Sequence, residues 1–160
     1  MNTKYLVKAG IIGALYAVVT IALAPISFGM FQCRVSEALC VLPCLSGAAV
    51  PGLFLGCLAS NLITGAPIYD VIFGSAATLL GAWGTLLLSR RKAPKYLLPL
   101  PTVLCNAVIV GLVLRYVYQV KASLALIMLL VGAGEALACY LIGLPLLKLL
   151  QHERFDFMRD

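Results

Sequence analysis

The sequence predicts an all-α integral membrane protein with six transmembrane helices, and three observations carry that prediction. Of its 160 residues, 62% are hydrophobic and only 11% charged, where a soluble domain carries roughly a quarter charged residues. Mean hydropathy is +1.04. The apolar residues fall into long runs, and about 20 such residues in a helix cross the hydrocarbon of a bilayer. One membrane domain, residues 1–160, is expected, with no soluble catalytic domain attached.

The helices are expected at about 6–26, 31–46, 48–64, 68–89, 97–117 and 122–150. The first follows Lys4 and Lys8. It ends in Ala22-Leu23-Ala24, a small-x-small pattern like a signal cleavage site. Pro25 follows at once and the run is long for a signal peptide, so it is read as a retained helix. "APISFGMFQ" holds Pro25 and Gly29 and breaks the helix. The second segment is short and ends near Pro43. "SGAAVPG" then turns the chain, and Pro51 suits the first turn of the third helix. "TGAP" (Thr64 to Pro67) precedes the fourth helix, the hydrophilic loop "SRRKAPKY" the fifth, and "RYVYQVKA" the sixth. "QHERFDFMRD" is a polar tail.

Basic residues orient the chain. With both termini in the cytoplasm, Lys4, Lys8, Arg90, Arg91, Lys92, Lys95, Lys148, Arg154 and Arg159 lie inside, and only Arg115 and Lys121 lie outside. This is a positive-inside bias. It also accounts for the net charge of +6 without a nucleic-acid partner.

In this topology the rare polar groups gather in the outer half. Arg34 and Glu37 fall near the outer end of the second helix, three residues apart and so on one face. Asn61 lies near the outer end of the third, and Tyr69 and Asp70 begin the fourth. Asn106 and Glu135 are mid-membrane in the fifth and sixth. Ionisable groups at such depth are expensive and mark function, so an outward-facing pocket closed beneath is expected. Glu37, Asp70 and Glu135 outnumber Arg34, which suits a cation or a ligand edge rich in N–H donors. Mutual neutralisation of Arg34 and Glu37 is the plainer alternative, and for Asp70 it is a favourable helix start. Phe31 and Tyr69 are candidate stacking residues beside these groups, although interface anchoring explains outer aromatics equally well.

Ala9, Gly13 and Ala17 recur every four residues, with Gly10 and Ala14 in a parallel row, and Gly52, Gly56 and Ser60 repeat the pattern. Such faces pack helices closely, within the chain or against another subunit. The six cysteines lack CxxC pairs and are read as small packing residues; no metal site is expected. There is no phosphate-binding loop, HExxH or G-x-S-x-G, so neither ATP hydrolysis nor another enzymatic activity is expected of this chain.

"ALYAVVTIALAPISFGMFQCRVSEAL", "PGLFLGCLASNL", "DVIFGSAATLLGA", "PLPTVLCNAVIVG" and "GEALACYLIGLPLL" together resemble the queuosine-precursor transporter (QueT) family. These are substrate-binding S components of energy-coupling factor (ECF) importers. The resemblance runs over about residues 5–150, and "APISFG…Q.RVSEAL" is its most specific part. Cysteines at 33, 40, 44 and 105 depart from the family at apolar positions. The resemblance implies six helices in a bacterial plasma membrane, both termini inside, and a substrate pocket capped by "APISFGMFQ". It implies partners: a membrane coupling subunit, docked through small residues of helix 1 corresponding to Ala9, Gly13 and Ala17, and two cytosolic ATPases. No cofactor is implied, because the partners hydrolyse the ATP.

The implied ligand is a 7-deazaguanine such as preQ1, preQ0 or queuine. One carboxylate would accept its guanine-like N–H edge, Glu135 or else Glu37. Asp70 would meet a cationic amine arm, Asn61 and Asn106 would add amide hydrogen bonds, and Gln32 or Arg34 would donate to the ring carbonyl. The alternative reading is a stand-alone ion-coupled carrier for a small organic cation, with Glu135 as the coupling site.

Overall fold

The computed structural model describes residues 3–27 and 34–152, which form helices joined by short turns, with no strand among them. Four stretches are long and apolar enough to cross a membrane: Thr3–Ala22, Asp70–Arg90, Lys95–Val117 and Leu124–His152. Two shorter apolar helices, Val35–Cys44 and Ala49–Ile63, complete the bundle. The expected six helices of spanning length are therefore four long ones and two short.

Helix α1 is Thr3–Ala22, and a single turn, α2, follows at Ala24–Ser27. Val35–Cys44 is a ten-residue 3₁₀ helix. That is an unusually long run for this geometry, whose rise of about 2 Å per residue carries ten residues about 20 Å. An α-helix of the same length would reach only about 15 Å. α3 (Ala49–Ile63) follows, ending at Gly65, where a positive φ of 69° makes the turn expected at "TGAP". A π-helical turn at Asp70–Gly74 runs into α4 (Ser75–Arg90). α5 (Leu100–Leu112) ends in a π-helical turn, Val113–Val117. α6 (Leu124–Ala136), capped by Ser123, passes through the π segment Leu137–Gly143 into α7 (Leu144–His152).

Contacts between the helices fix the direction of each segment. α1 and α3 run parallel at backbone contact: a Cβ on Gly52 would lie 2.6 Å from the Ala9 carbonyl oxygen, and one on Gly13 would lie 2.9 Å from the Gly52 carbonyl oxygen. This is the packing that small-xxx-small faces permit in lipid. The 3₁₀ helix runs back along α1, with Ser36 bonded to Thr20 and Gly47 to Tyr5. α4 opposes α3 and α5, since Thr78 meets Cys57 while Gly81 packs on Thr102. α6 opposes α5, with Gly111 on Met128 and Gly132 on Ala107. One end of the bundle thus carries Lys4, Lys8, Arg90, Arg91, Lys92, Lys95 and Lys148, and the other carries Asp70, Arg115, Tyr118 and Lys121. Ile12, Tyr16, Leu42, Leu53 and Cys57 form the main apolar core between α1, the 3₁₀ helix and α3.

Candidate functional site

Arg34 is the extended residue immediately before the 3₁₀ helix (φ −81°, ψ 94°), not a residue within a helix, and it is buried. Its carbonyl accepts the Glu37 N–H at 2.9 Å. With three residues per turn, positions three apart eclipse. Arg34, Glu37, Cys40 and Pro43 accordingly form one buried row facing the bundle interior.

Glu37 is completely enclosed and well supplied with donors. The Tyr16 hydroxyl and the Thr78 hydroxyl (2.8 Å) both donate to Oε1, and the Cys40 thiol donates to Oε2 at 2.8 Å. Three donors from α1, α4 and its own helix compensate the lost hydration of this carboxylate. Eclipsing in the 3₁₀ geometry is what brings Cys40 under Glu37.

Beside it, Cys57 Sγ accepts from Arg34 Nη1 at 3.8 Å and Asn61 Nδ2 at 3.5 Å, and it lies 3.5 Å from Thr78 Oγ1. Asn61 also donates to the Asp70 carbonyl at 3.2 Å, tying α3 to the π turn. Three of the cysteines read as inert packing, Cys40, Cys57 and Cys139, are in fact hydrogen-bonded within this polar centre.

Glu135 comes from α6 and is 1% exposed. One turn further on, Cys139 donates to the Glu37 carbonyl at 3.4 Å. That register sets Glu135 beside Arg34, and it lies in the field of both Arg34 and Glu37. Its Oε2 is buried without a hydrogen-bond partner. The same holds for Asn61 Oδ1, Ser75 Oγ, Thr102 Oγ1 and both amide atoms of Asn106. Thr102 and Asn106 lie one turn apart on the same face of α5. Buried polar atoms are rarely left so, and these come from α3, α4, α5 and α6 around the charged centre.

Asp70 sits at the edge of this region, toward the less basic end. The Tyr118 hydroxyl, from the loop after α5, donates to Asp70 Oδ2 at 2.9 Å. Partial burial, with the bond to and the charge of Asp70, pushes the Tyr118 phenol up to about 12. The next residue, Gln119, takes a positive φ of 51°, uncommon for a side chain of this kind.

Arg34, Glu37, Asn61 and Glu135 are therefore brought together, with Asn106 buried nearby on α5 and Asp70 at the rim. Tyr69 is 46% exposed and stands apart from the centre. Gln32 and Phe31 lie outside the described residues. Ala9, Gly13 and Ala17 are buried on the side of α1 that meets α3, so this row is taken up inside the chain. The face that α1 leaves open carries Gly10, which has nothing within 4 Å, and Ala14. Tyr16, Cys40, Ser75, Thr78 and Thr102 were missed by sequence reasoning. The signal that could have found some of them is the recurrence of Ser75, Thr78 and Thr85 with Gly74 and Gly81 along one face of α4.

A multi-pass helical membrane protein that encloses an arginine and two carboxylates among unpartnered amides and hydroxyls has the make-up of a membrane transporter. The chain belongs to the QueT transporter family, whose family model matches residues 6–152. No curated protein and no solved structure matches the chain.

Proposed function

We propose that this chain, folded as one membrane domain with six crossings and both termini in the cytoplasm of a bacterial cell, is the substrate-binding S component of an ECF importer for a 7-deazaguanine. The observation that carries the reading is the enclosed Glu135 carboxylate. It stands beside Arg34 with one oxygen lacking a hydrogen-bond partner. Of the two central carboxylates, Glu37 already has three donors. Glu37 therefore organises the site, and Glu135 is the acceptor for a ligand's N–H edge. Asn106 and Asn61 retain amide atoms for further contacts, and Arg34 is the donor for a ring carbonyl. Asp70 has one oxygen bonded to Tyr118 and is the partner for a cationic aminomethyl arm, as in preQ1.

Coupling to a membrane subunit and two cytosolic ATPases follows the family resemblance. The open row of Gly10 and Ala14 is the α1 surface available to that subunit. Thermal-shift titration of the purified chain with preQ0, preQ1, queuine and guanine, without ATP, tests the proposal. Stabilisation by a deazaguanine at low micromolar concentration or below is expected, and no response to any of the four would refute it.

The neighbouring carboxylates Glu37 and Glu135 also fit a proton-coupled carrier for an organic cation. Uptake that continues without the ATPases but collapses with the proton gradient would favour that reading.

A further inference from the structure

We propose that the basic end of the bundle holds a site for the headgroup of an anionic phospholipid, in the groove between α7 and the segment that leads into α5. A hollow of about 600 Å³ is lined there by Lys95, Pro145, Lys148, Leu149, Gln151 and His152. A second hollow of about 340 Å³ shares Lys95 and Lys148 and adds Leu144 and Leu147. The two lysines line both hollows, and among the described residues no acidic side chain lines either one.

The groove lies at headgroup depth. The helical stretch Leu124–His152 is 29 residues long, while about 20 suffice for the hydrocarbon core, so its last turns overrun the core. Lys95 begins the neighbouring span at the same level, and its Nζ donates to Gln151 Oε1 at 2.7 Å, which bridges the two elements and holds the lysine at the groove. Lys148 is exposed beside it.

The occupant follows from the combination of charge and surface. Two ammonium groups over a concave floor match a phosphodiester and suit no cation. Leu149 is exposed in the hollow itself, and toward the membrane centre the same helical stretch exposes Ile142 and Leu141, which gives acyl chains an apolar wall. A soluble anion would use the lysines and leave that wall bare. Basic pockets between membrane helices at the headgroup level take anionic lipids in this way.

The test is native mass spectrometry of the full chain in detergent, titrated with phosphatidylglycerol or phosphatidylcholine. Phosphatidylglycerol should be retained at least about tenfold more tightly, and each of Lys95→Gln and Lys148→Gln should weaken it about fivefold. Both side chains are exposed, so the variants keep their fold. Arg90→Gln with Arg91→Gln, changing charge on the same end but outside the groove, should leave retention unchanged. Equal retention of the two lipids, or an equal loss in the arginine variant, would mean diffuse surface attraction and overturn the site. Retention that emerges only after Glu153, Asp156 and Asp160 are neutralised would mean that the chain's own tail fills the groove, and would overturn it too.

Discussion

Thr78 donates its hydroxyl to Glu37 Oε1 at 2.8 Å across 41 residues of sequence, and Tyr16 donates to the same oxygen from α1. One carboxylate oxygen thereby joins three segments. In lipid, where the surroundings are as apolar as the helix surfaces, interhelical hydrogen bonds and close packing hold a bundle together. Tyr16→Phe and Thr78→Val should each destabilise the fold by about 2 kcal/mol, since each removes a donor from an enclosed charge. The double variant should lose more than the sum, because with either bond gone the shared acceptor holds the other more strongly. Unfolding in detergent measures this, and strict additivity would mean that the two donors act independently.

The two central carboxylates should respond oppositely to neutralisation. Glu135→Gln should weaken deazaguanine binding by about 2 kcal/mol, roughly thirtyfold, while leaving the unliganded protein equally or more stable. Glu37→Gln should instead lower stability by about 2 kcal/mol, because an amide N–H₂ group turned toward Tyr16, Thr78 or Cys40 cannot accept their bonds. Calorimetric titration alongside melting separates the two effects. Loss of stability without loss of affinity in Glu135→Gln would remove it from the ligand's surroundings.

What could be read in advance followed from long-range composition. Apolar runs located every long helix, and the lysines and arginines gathered at one end of the bundle agree with the charge bias. Arg34, Glu37 and Glu135 stood out because an ionisable side chain in an apolar run is conspicuous. What could not be read depended on backbone detail. A spacing of three between Arg34 and Glu37 fits an α-helix and a 3₁₀ helix alike, yet only the latter eclipses Cys40 with Glu37 and lets ten residues extend so far. Hydroxyls were equally silent. Thr78, Thr102 and Tyr16 sit in helices where such residues are common, and only the facing helix decides which of them meets a charge. The small residues of α1 were visible as two rows, but which row α3 covers is a matter of helix rotation.

That rotation is itself testable. Gly52 approaches α1 so closely that a methyl group would lie 2.6 Å from the Ala9 carbonyl oxygen. Gly52→Ala must push α1 and α3 apart, at a cost of about 1–3 kcal/mol in unfolding experiments. Gly10→Leu meets nothing and should leave both stability and ligand binding as they were. If a coupling subunit docks on that open row, the same substitution abolishes uptake in cells that supply the partners. Normal uptake with Gly10→Leu and Ala14→Leu combined would rule out this face as the docking surface.

The latch between Tyr118 and Asp70 makes a prediction about alkaline pH. A free tyrosine ionises near 10; partial burial, together with an Asp70 carboxylate that can accept a bond only from the protonated phenol, holds Tyr118 up to about 12. Because the folded value is raised, the latch contributes its full stability below about pH 10 and loses it as pH rises through about 12. Subtracting the ultraviolet titration of Tyr118→Phe from that of the parent isolates this phenol. Its ionisation should then appear near 12, and in Asp70→Asn it should fall back toward the ordinary value, because the carboxylate charge is gone. A difference titration centred near 10 in the parent would mean that the loop after α5 is not fastened to the start of the Asp70–Arg90 span.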